Sequence, residues 1–391
     1  MKNFKKWLWA VSLSPIFVLF GSDIGLPKEI SMVYLFSTLI YPFLISRIYN
    51  KISLTLKKHF AIHVISLSLI FTNILLSIDP STSLFYWFIY LFFIYGMNCW
   101  ILLLKKEGEF PYLLSFLKVG LDKYLINSIL IISIALTIFN FGNGKTFNTL
   151  GIITGSTIAY VWFKNYNKIF YKPIILFILI FILLTSLSRS SLIFVILTIL
   201  VTELILLNKD RKRKGTIFIA LIILITFYSE NLLNWFSLKE FGNSKAINKF
   251  SNLLSLNEDR SVLIDMFLKV FKDIFYTGYG IDTPYQELVV WNQVDNVGIH
   301  NGILEMVLLL GVPLAIIFFY YFIVSFKKII KLTSKNKSYA TILGFVMYCL
   351  LRSYGESYFL LNIGNTMSVL FLIILILLYN HKIISEKKSR K

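Results

Sequence analysis

Apolar runs alternate with short polar segments along almost the whole chain, and twelve can be drawn: 7–21, 30–46, 60–78, 82–104, 121–141, 147–163, 173–187, 191–207, 216–229, 300–325, 338–352 and 364–380. Each crosses, or nearly crosses, a bilayer hydrocarbon core of roughly 30 Å. The pattern predicts an all-α polytopic membrane protein of about 12 transmembrane helices. Several runs are short, which predicts tilt, local thinning or partial spans. The first comes after a basic start, Met1-Lys2-Asn3-Phe4-Lys5-Lys6, as a signal peptide would. No small-residue cleavage site comes after it, so a retained first helix is expected.

One long interruption, between the ninth and tenth runs, divides the chain into three parts. Residues 1–229 carry the first nine helices and 230–299 form a large extracytoplasmic loop. Residues 300–391 carry the last three helices and a basic tail. An outer loop of that length is usually functional. Its stretch 229–256 sets Trp235, Phe236, Phe241 and Phe250 among polar residues, which suits either a cap at the membrane interface or a loop whose aromatics simply pack. From Asn257 to Tyr276 the period becomes helical, with Leu263, Phe267, Val270 and Ile274 on one stripe and Asp265, Lys269 and Asp273 spaced for charge pairing. Asn257 is the expected N-cap.

Composition agrees with this class. Hydrophobic residues make up 57% and charged residues 15%, whereas soluble domains carry about 25% charged residues; mean hydropathy is +0.73. Positive residues collect on the cytoplasmic side of membrane proteins. With both termini inside, the N-terminus, 47–58, 105–123, 164–172, 209–214, 327–337 and the C-terminus hold 29 of the 39 basic residues. The run Lys209-Asp210-Arg211-Lys212-Arg213-Lys214 is therefore an orientation anchor rather than a nucleic-acid patch, and the net charge of +19 says little about partners. No nucleic-acid partner is expected. Cys99 and Cys349 fall inside predicted helices and read as packed apolar cysteines. The chain has no GxxxxGK[ST], HExxH, CxxC or DxD motif, so nucleotide-driven transport and the usual metal sites lose their sequence support, and neither metal nor cofactor is expected.

Candidate chemistry lies in the few cations that are not lysine. Thirty-two basic residues are lysine and seven arginine, and the arginines outside the cytoplasmic segments are Arg189, Arg260 and Arg352. A guanidinium is a planar, permanently charged fork that suits phosphate or carboxylate. Arg189, flanked by Ser188 and Ser190, separates two apolar runs with hardly any loop, and either serves function or snorkels to the interface. Arg260 opens the loop helix, where it adds to the positive helix end; it either binds an anion or pairs with Glu258 or Asp259. Arg352 ends the eleventh run near Glu356, its alternative partner. His300, in Val297-Gly298-Ile299-His300-Asn301-Gly302, is the histidine that shares the outer face with these arginines. It could take a proton from a hydroxyl at physiological pH, or simply cap the re-entering helix.

Taken together, these elements resemble the bacterial O-antigen ligase and polymerase family over roughly residues 170–325. The resemblance rests on Ser188-Arg189-Ser190 before an apolar span, Arg260 at the start of a loop helix, Gly278-Tyr279-Gly280, His300-Asn301 with Leu304 soon after, and Leu310-Gly311-Val312-Pro313. It implies a metal-independent, inverting glycosyltransferase of the bacterial inner membrane that uses an undecaprenyl-diphosphate-linked glycan donor. Arg189 and Arg260 would hold the diphosphate and His300 would activate the acceptor hydroxyl. Asp295, Glu287 and Asp282 stand near as alternative bases, and Arg352 is an additional candidate. Expected partners are the lipid-linked glycan, membrane lipids and a polysaccharide chain-length regulator. A polymerase, extending another lipid-linked repeat unit, is favoured over a ligase that transfers to a lipid-core sugar. A lipid-linked oligosaccharide flippase is the rival from another class; such transporters often show internal repeats and mid-membrane polar sites, neither of which is evident here.

The lysine alternation makes the loop testable. A cysteine introduced at Ser244 should react with a membrane-impermeant maleimide in intact cells. Labelling only after permeabilisation would invert the topology and remove the outer-face site.

Overall fold

A computed structural model describes residues 60–91, 94, 148–164, 171–185, 189–206, 267–281, 302–355 and 366–381. Among the described residues the regular structure is helical, without strands. We number the helices α1 (Phe60–Leu75), α2 (80–91), α3 (Asn148–Trp162), α4 (Tyr171–Thr185), α5 (Arg189–Leu206), α6 (267–274), α7 (Gly302–Lys335), α8 (Ala340–Gly355) and α9 (Thr366–Asn380). Over their described parts the apolar runs predicted in these stretches are mainly helical; 95–104 of the run 82–104 lies outside the described residues. The remaining predicted runs, 7–21, 30–46, 121–141 and 216–229, lie outside the described residues.

α8 is the hub. It packs on α3, α5, α7 and α9, and from Ala340 to Cys349 its side chains are buried almost without interruption. Small residues let it approach: a Cβ added at Gly344 would lie 2.7 Å from the Ala159 carbonyl oxygen of α3, and Gly155 of α3 leaves room for the Tyr348 ring. Close backbone approach over small residues is how helices associate in lipid, where burial of apolar surface gains little. Cys349 is a free, buried thiol, as the sequence implies. α9 lies beside α7, Phe322 meeting Phe371 at 6.0 Å between ring centroids and the Ser325 hydroxyl donating to the Leu375 carbonyl at 2.9 Å. Further along, Lys328 donates to the Tyr379 carbonyl.

Among the described residues α7 is the one helix long and apolar enough to cross a membrane; five shorter apolar helices accompany it. The sequence predicts a span at 300–325. Instead, α7 runs to Lys335 and is broken at Gly311, whose φ of 75° is not helical. Pro313 explains the break: it has no N–H to offer the Leu309 carbonyl, and its ring crowds that carbonyl. At ~1.5 Å per residue, Val312 to Phe326, the apolar stretch before the lysines, covers ~22 Å, so a crossing of ~30 Å also takes in part of the leading half, Gly302–Leu310.

The break is filled by the Gly278-Tyr279-Gly280 turn at the end of α6. The Tyr279 N–H donates to the Leu308 carbonyl at 2.8 Å and the Gly280 N–H to the Leu309 carbonyl at 3.0 Å, while the Val312 N–H donates back to the Phe275 carbonyl at 2.8 Å. The turn is also tied to the end of α1, where the Ile78 N–H donates to the Tyr279 carbonyl at 3.1 Å. α6 reaches the same junction. Its stripe of Phe267, Val270 and Ile274 is buried with Leu308, and Leu304 and Val307 of the leading half-helix pack against that cluster. The predicted amphipathic stripe is thus the buried face over its described part, although the helix stops at Ile274 rather than Tyr276.

All three glycines at the junction have positive φ, and at two of them, Gly278 (65°) and Gly311 (75°), a Cβ would run into the facing backbone: 2.4 Å from the Leu309 carbonyl oxygen for Gly278, 2.8 Å from the Thr277 nitrogen for Gly311. Such positive-φ backbone costs an L-residue on the order of 1–3 kcal/mol before any clash. Gly278→Ala and Gly311→Ala are therefore each expected to lower the thermal midpoint of detergent-solubilised protein. Midpoints unchanged in both variants would show that the junction does not form.

Candidate functional site

Arg189 is the first residue of α5, close behind the end of α4 at Thr185. Three residues of sequence separate the two helices, which pack against each other. Arg352 stands in the last turn of α8, where a cation complements the negative helix end. Its side chain is fully buried, and its guanidinium carbon lies 5.6 Å from the centre of the Phe194 ring. Phe194 belongs to the second turn of α5, so the structure brings Arg352 against the start of the helix that Arg189 opens. The last turn of α8 thus meets the first turns of α5, which places both arginine positions at the same end of the pair. Glu356, the partner considered from sequence, lies outside the described residues.

Arg260, His300 and the alternative acids Asp295, Glu287 and Asp282 also lie outside the described residues. Their neighbours along the chain are placed. Arg260 precedes the described start of α6 by seven residues, and His300 precedes α7 by two. α6 and the leading half of α7 both run toward the junction and pack side by side, so the helices that come after Arg260 and His300 share one anchor. The two glycine-bearing motifs singled out in the sequence, Gly278-Tyr279-Gly280 and Leu310-Gly311-Val312-Pro313, prove to be the two sides of that anchor.

Two groups near this end, outside the crossing segments, have shifted pKa values. Burial, and after it the Asp273 carboxylate, raises the Tyr279 phenol above its ordinary pKa, so the ring is neutral at physiological pH. Asp79 sits in the turn between α1 and α2, and its carboxyl is lowered to about 2, chiefly by hydrogen bonds from the Ser81 and Thr82 side chains and then from the Thr82 backbone. It is an N-cap: Oδ1 accepts from the Ser81 and Thr82 N–H groups at 3.1 Å each, and Pro80 stands at the first helical position. This cap starts α2, which carries Trp87 to the junction.

Sequence reasoning missed three residues here. Asn73 and Trp87 are buried, and the Trp87 indole N–H donates to the Asn73 amide oxygen at 2.7 Å. Glu305, also buried, lies in the leading half of α7, five residues after His300. A lone amide and a lone carboxylate inside apolar runs are signals by themselves, because polar groups in such runs are expensive unless they have work to do.

Among the described residues the protein is a helical bundle with one helix long and apolar enough to cross a membrane. Residues 174–319 match the family model described as O-antigen ligase, and that domain supports the O-antigen ligase and polymerase family, membrane enzymes of glycosyltransferase type that act on lipid-linked glycans. A comparison with curated proteins finds no match. The matched segment contains Arg189, Arg260, Asp295, His300 and both halves of the junction, whereas Arg352, Asn73 and Trp87 reach it from outside.

A guanidinium over an aromatic face contributes about 0.5–2 kcal/mol, the more so when desolvated. In a double-mutant cycle on the purified protein, Arg352→Lys and Phe194→Leu should show a coupling energy of about 1 kcal/mol in thermal stability. A coupling of zero would mean that the ring does not hold the guanidinium.

Proposed function

We propose that the protein is a surface-polysaccharide polymerase of the bacterial cytoplasmic membrane. It has twelve spans and both termini inside, and transfers glycan from an undecaprenyl-diphosphate-linked donor to a sugar hydroxyl of another lipid-linked repeat unit. The observation that carries this reading is the family match over 174–319, which contains Arg189, Arg260 and His300 in the order the resemblance requires. The acceptor hydroxyl attacks the anomeric carbon opposite the diphosphate, so the configuration inverts. The bond from that carbon to the diphosphate oxygen breaks, and its electron pair leaves with the diphosphate. Arg189 and Arg260 stabilise the charge that develops there, a task otherwise given to a divalent metal. His300 receives the hydroxyl proton, with Asp295 as the alternative base. Arg352 supports the start of the Arg189 helix, and a chain-length regulator is the expected protein partner.

The family's description as a ligase favours a second reading, in which the same donor site serves a lipid-core sugar as acceptor. The deletion strain separates the two. Single repeat units on the lipid acceptor support the polymerase, full-length polymer left on undecaprenol supports the ligase, and unflipped precursor would replace both with a flippase.

In a purified assay, Arg189→Lys retains charge but loses the bidentate fork, so transfer should fall while membrane insertion persists. His300→Ala should lower turnover by about 10²–10⁴-fold with donor binding intact. Persistent chain growth in His300→Ala would move the base to an acid such as Asp295. Activity abolished by chelator would sink the metal-free mechanism.

A further inference from the structure

Pro313 leaves the Leu309 carbonyl without its helical donor, in a buried position where an unsatisfied carbonyl is costly. Two donors replace the missing N–H: the Gly280 backbone, at 3.0 Å, and the Asn73 side-chain amide of α1, at 2.9 Å across 236 residues of sequence. The same amide nitrogen also donates to the Thr277 carbonyl. One NH₂ group therefore bridges the turn and the broken helix. Its orientation is fixed from behind, because the Asn73 amide oxygen accepts the Trp87 indole N–H at 2.7 Å. Asn73 is wholly buried and Trp87 nearly so. Neither is in the segment that matches the family model.

We propose that Asn73, held by Trp87, is a positioning residue for glycan transfer: it locks the Gly278–Gly280 turn into the break of α7 and so fixes the leading half-helix relative to the half after the break. Backbone bonds alone could let the leading half pivot about Gly311, whose conformation leaves it no continuous helical ladder. The side-chain bridge removes that freedom by joining both sides of the break to α1. This rests on the transfer reading above, because the leading half-helix begins two residues after His300. The bridge contacts no substrate, and its effect is on the geometry of the groups that do.

The test compares full-length Asn73→Leu and Trp87→Phe with wild type in detergent or nanodiscs, by amide hydrogen exchange and by transfer kinetics with lipid-linked repeat unit. In Asn73→Leu, exchange at Tyr279, Gly280 and Val312 should accelerate about tenfold or more while α8 keeps its protection. Its kcat should fall on the order of 10- to 100-fold, as for a displaced catalytic geometry, with KM for the donor little changed. Trp87→Phe keeps both Asn73 donors and should show the same pattern at smaller amplitude. Unchanged exchange at the junction in Asn73→Leu overturns the bridge. Accelerated exchange with wild-type kcat overturns its positioning role. Uniform loss of protection, α8 included, also overturns it, because Asn73 would then serve general stability. If the wild-type protein transfers no glycan, the transfer reading fails alone and the exchange comparison still decides the bridge.

Discussion

The carbonyl of Leu309 is the constraint on which this end of the molecule depends. Proline four residues later removes its partner, and apolar surroundings offer no water in exchange. The chain must therefore bring donors from elsewhere, and it does so from two distant places. Non-helical backbone at membrane depth persists only where protein or a cavity satisfies it. Once the Gly280 N–H and the Asn73 amide are committed there, the turn after α6, the end of α1 and the two halves of α7 can no longer move independently. The glycines at 278 and 311 answer the same demand, since at this approach and with positive φ a Cβ on either would fall 2.4–2.8 Å from the facing backbone.

A second constraint is the burial of Arg352. Removing a guanidinium from water is expensive, and the face of Phe194 is part of what makes the position tenable. The location is consequential because α8 is the hub against which the other helices pack. A cation fixed at the end of that hub, beside the first turns of α5, contributes positive potential where Arg189 begins its helix. The small residues along α3 and α8 allow this close packing.

The two constraints complement each other in the proposed chemistry. An anionic diphosphate leaving group needs fixed positive charge, and an acceptor hydroxyl needs a base held at a fixed distance from it. In that proposal Arg189, at the start of α5, and Arg260 meet the first need, and His300, two residues before a half-helix anchored by its backbone, meets the second. Preorganisation of this kind costs nothing at the moment of reaction, because the folded chain has already supplied the order.

Much of this was legible in the sequence. Unbroken apolar runs can satisfy their own backbone in lipid only as helices, so the helices around 148–162, 171–185, 189–206, 340–355 and 366–380 are dictated by hydropathy alone. The buried stripe of α6 comes from its period, and the arginines stand out against a lysine background because the chain gets its ordinary positive charge elsewhere. The glycine motifs were visible as motifs, but nothing local says that 278–280 and 308–312 are partners. Hydrogen bonds that form across a break join residues far apart in the chain, and periodicity carries no information about them. Asn73 is the clearest case: by pattern it is one polar residue in an apolar helix, and only the tertiary structure, which brings it to a carbonyl that proline has orphaned, gives it a purpose.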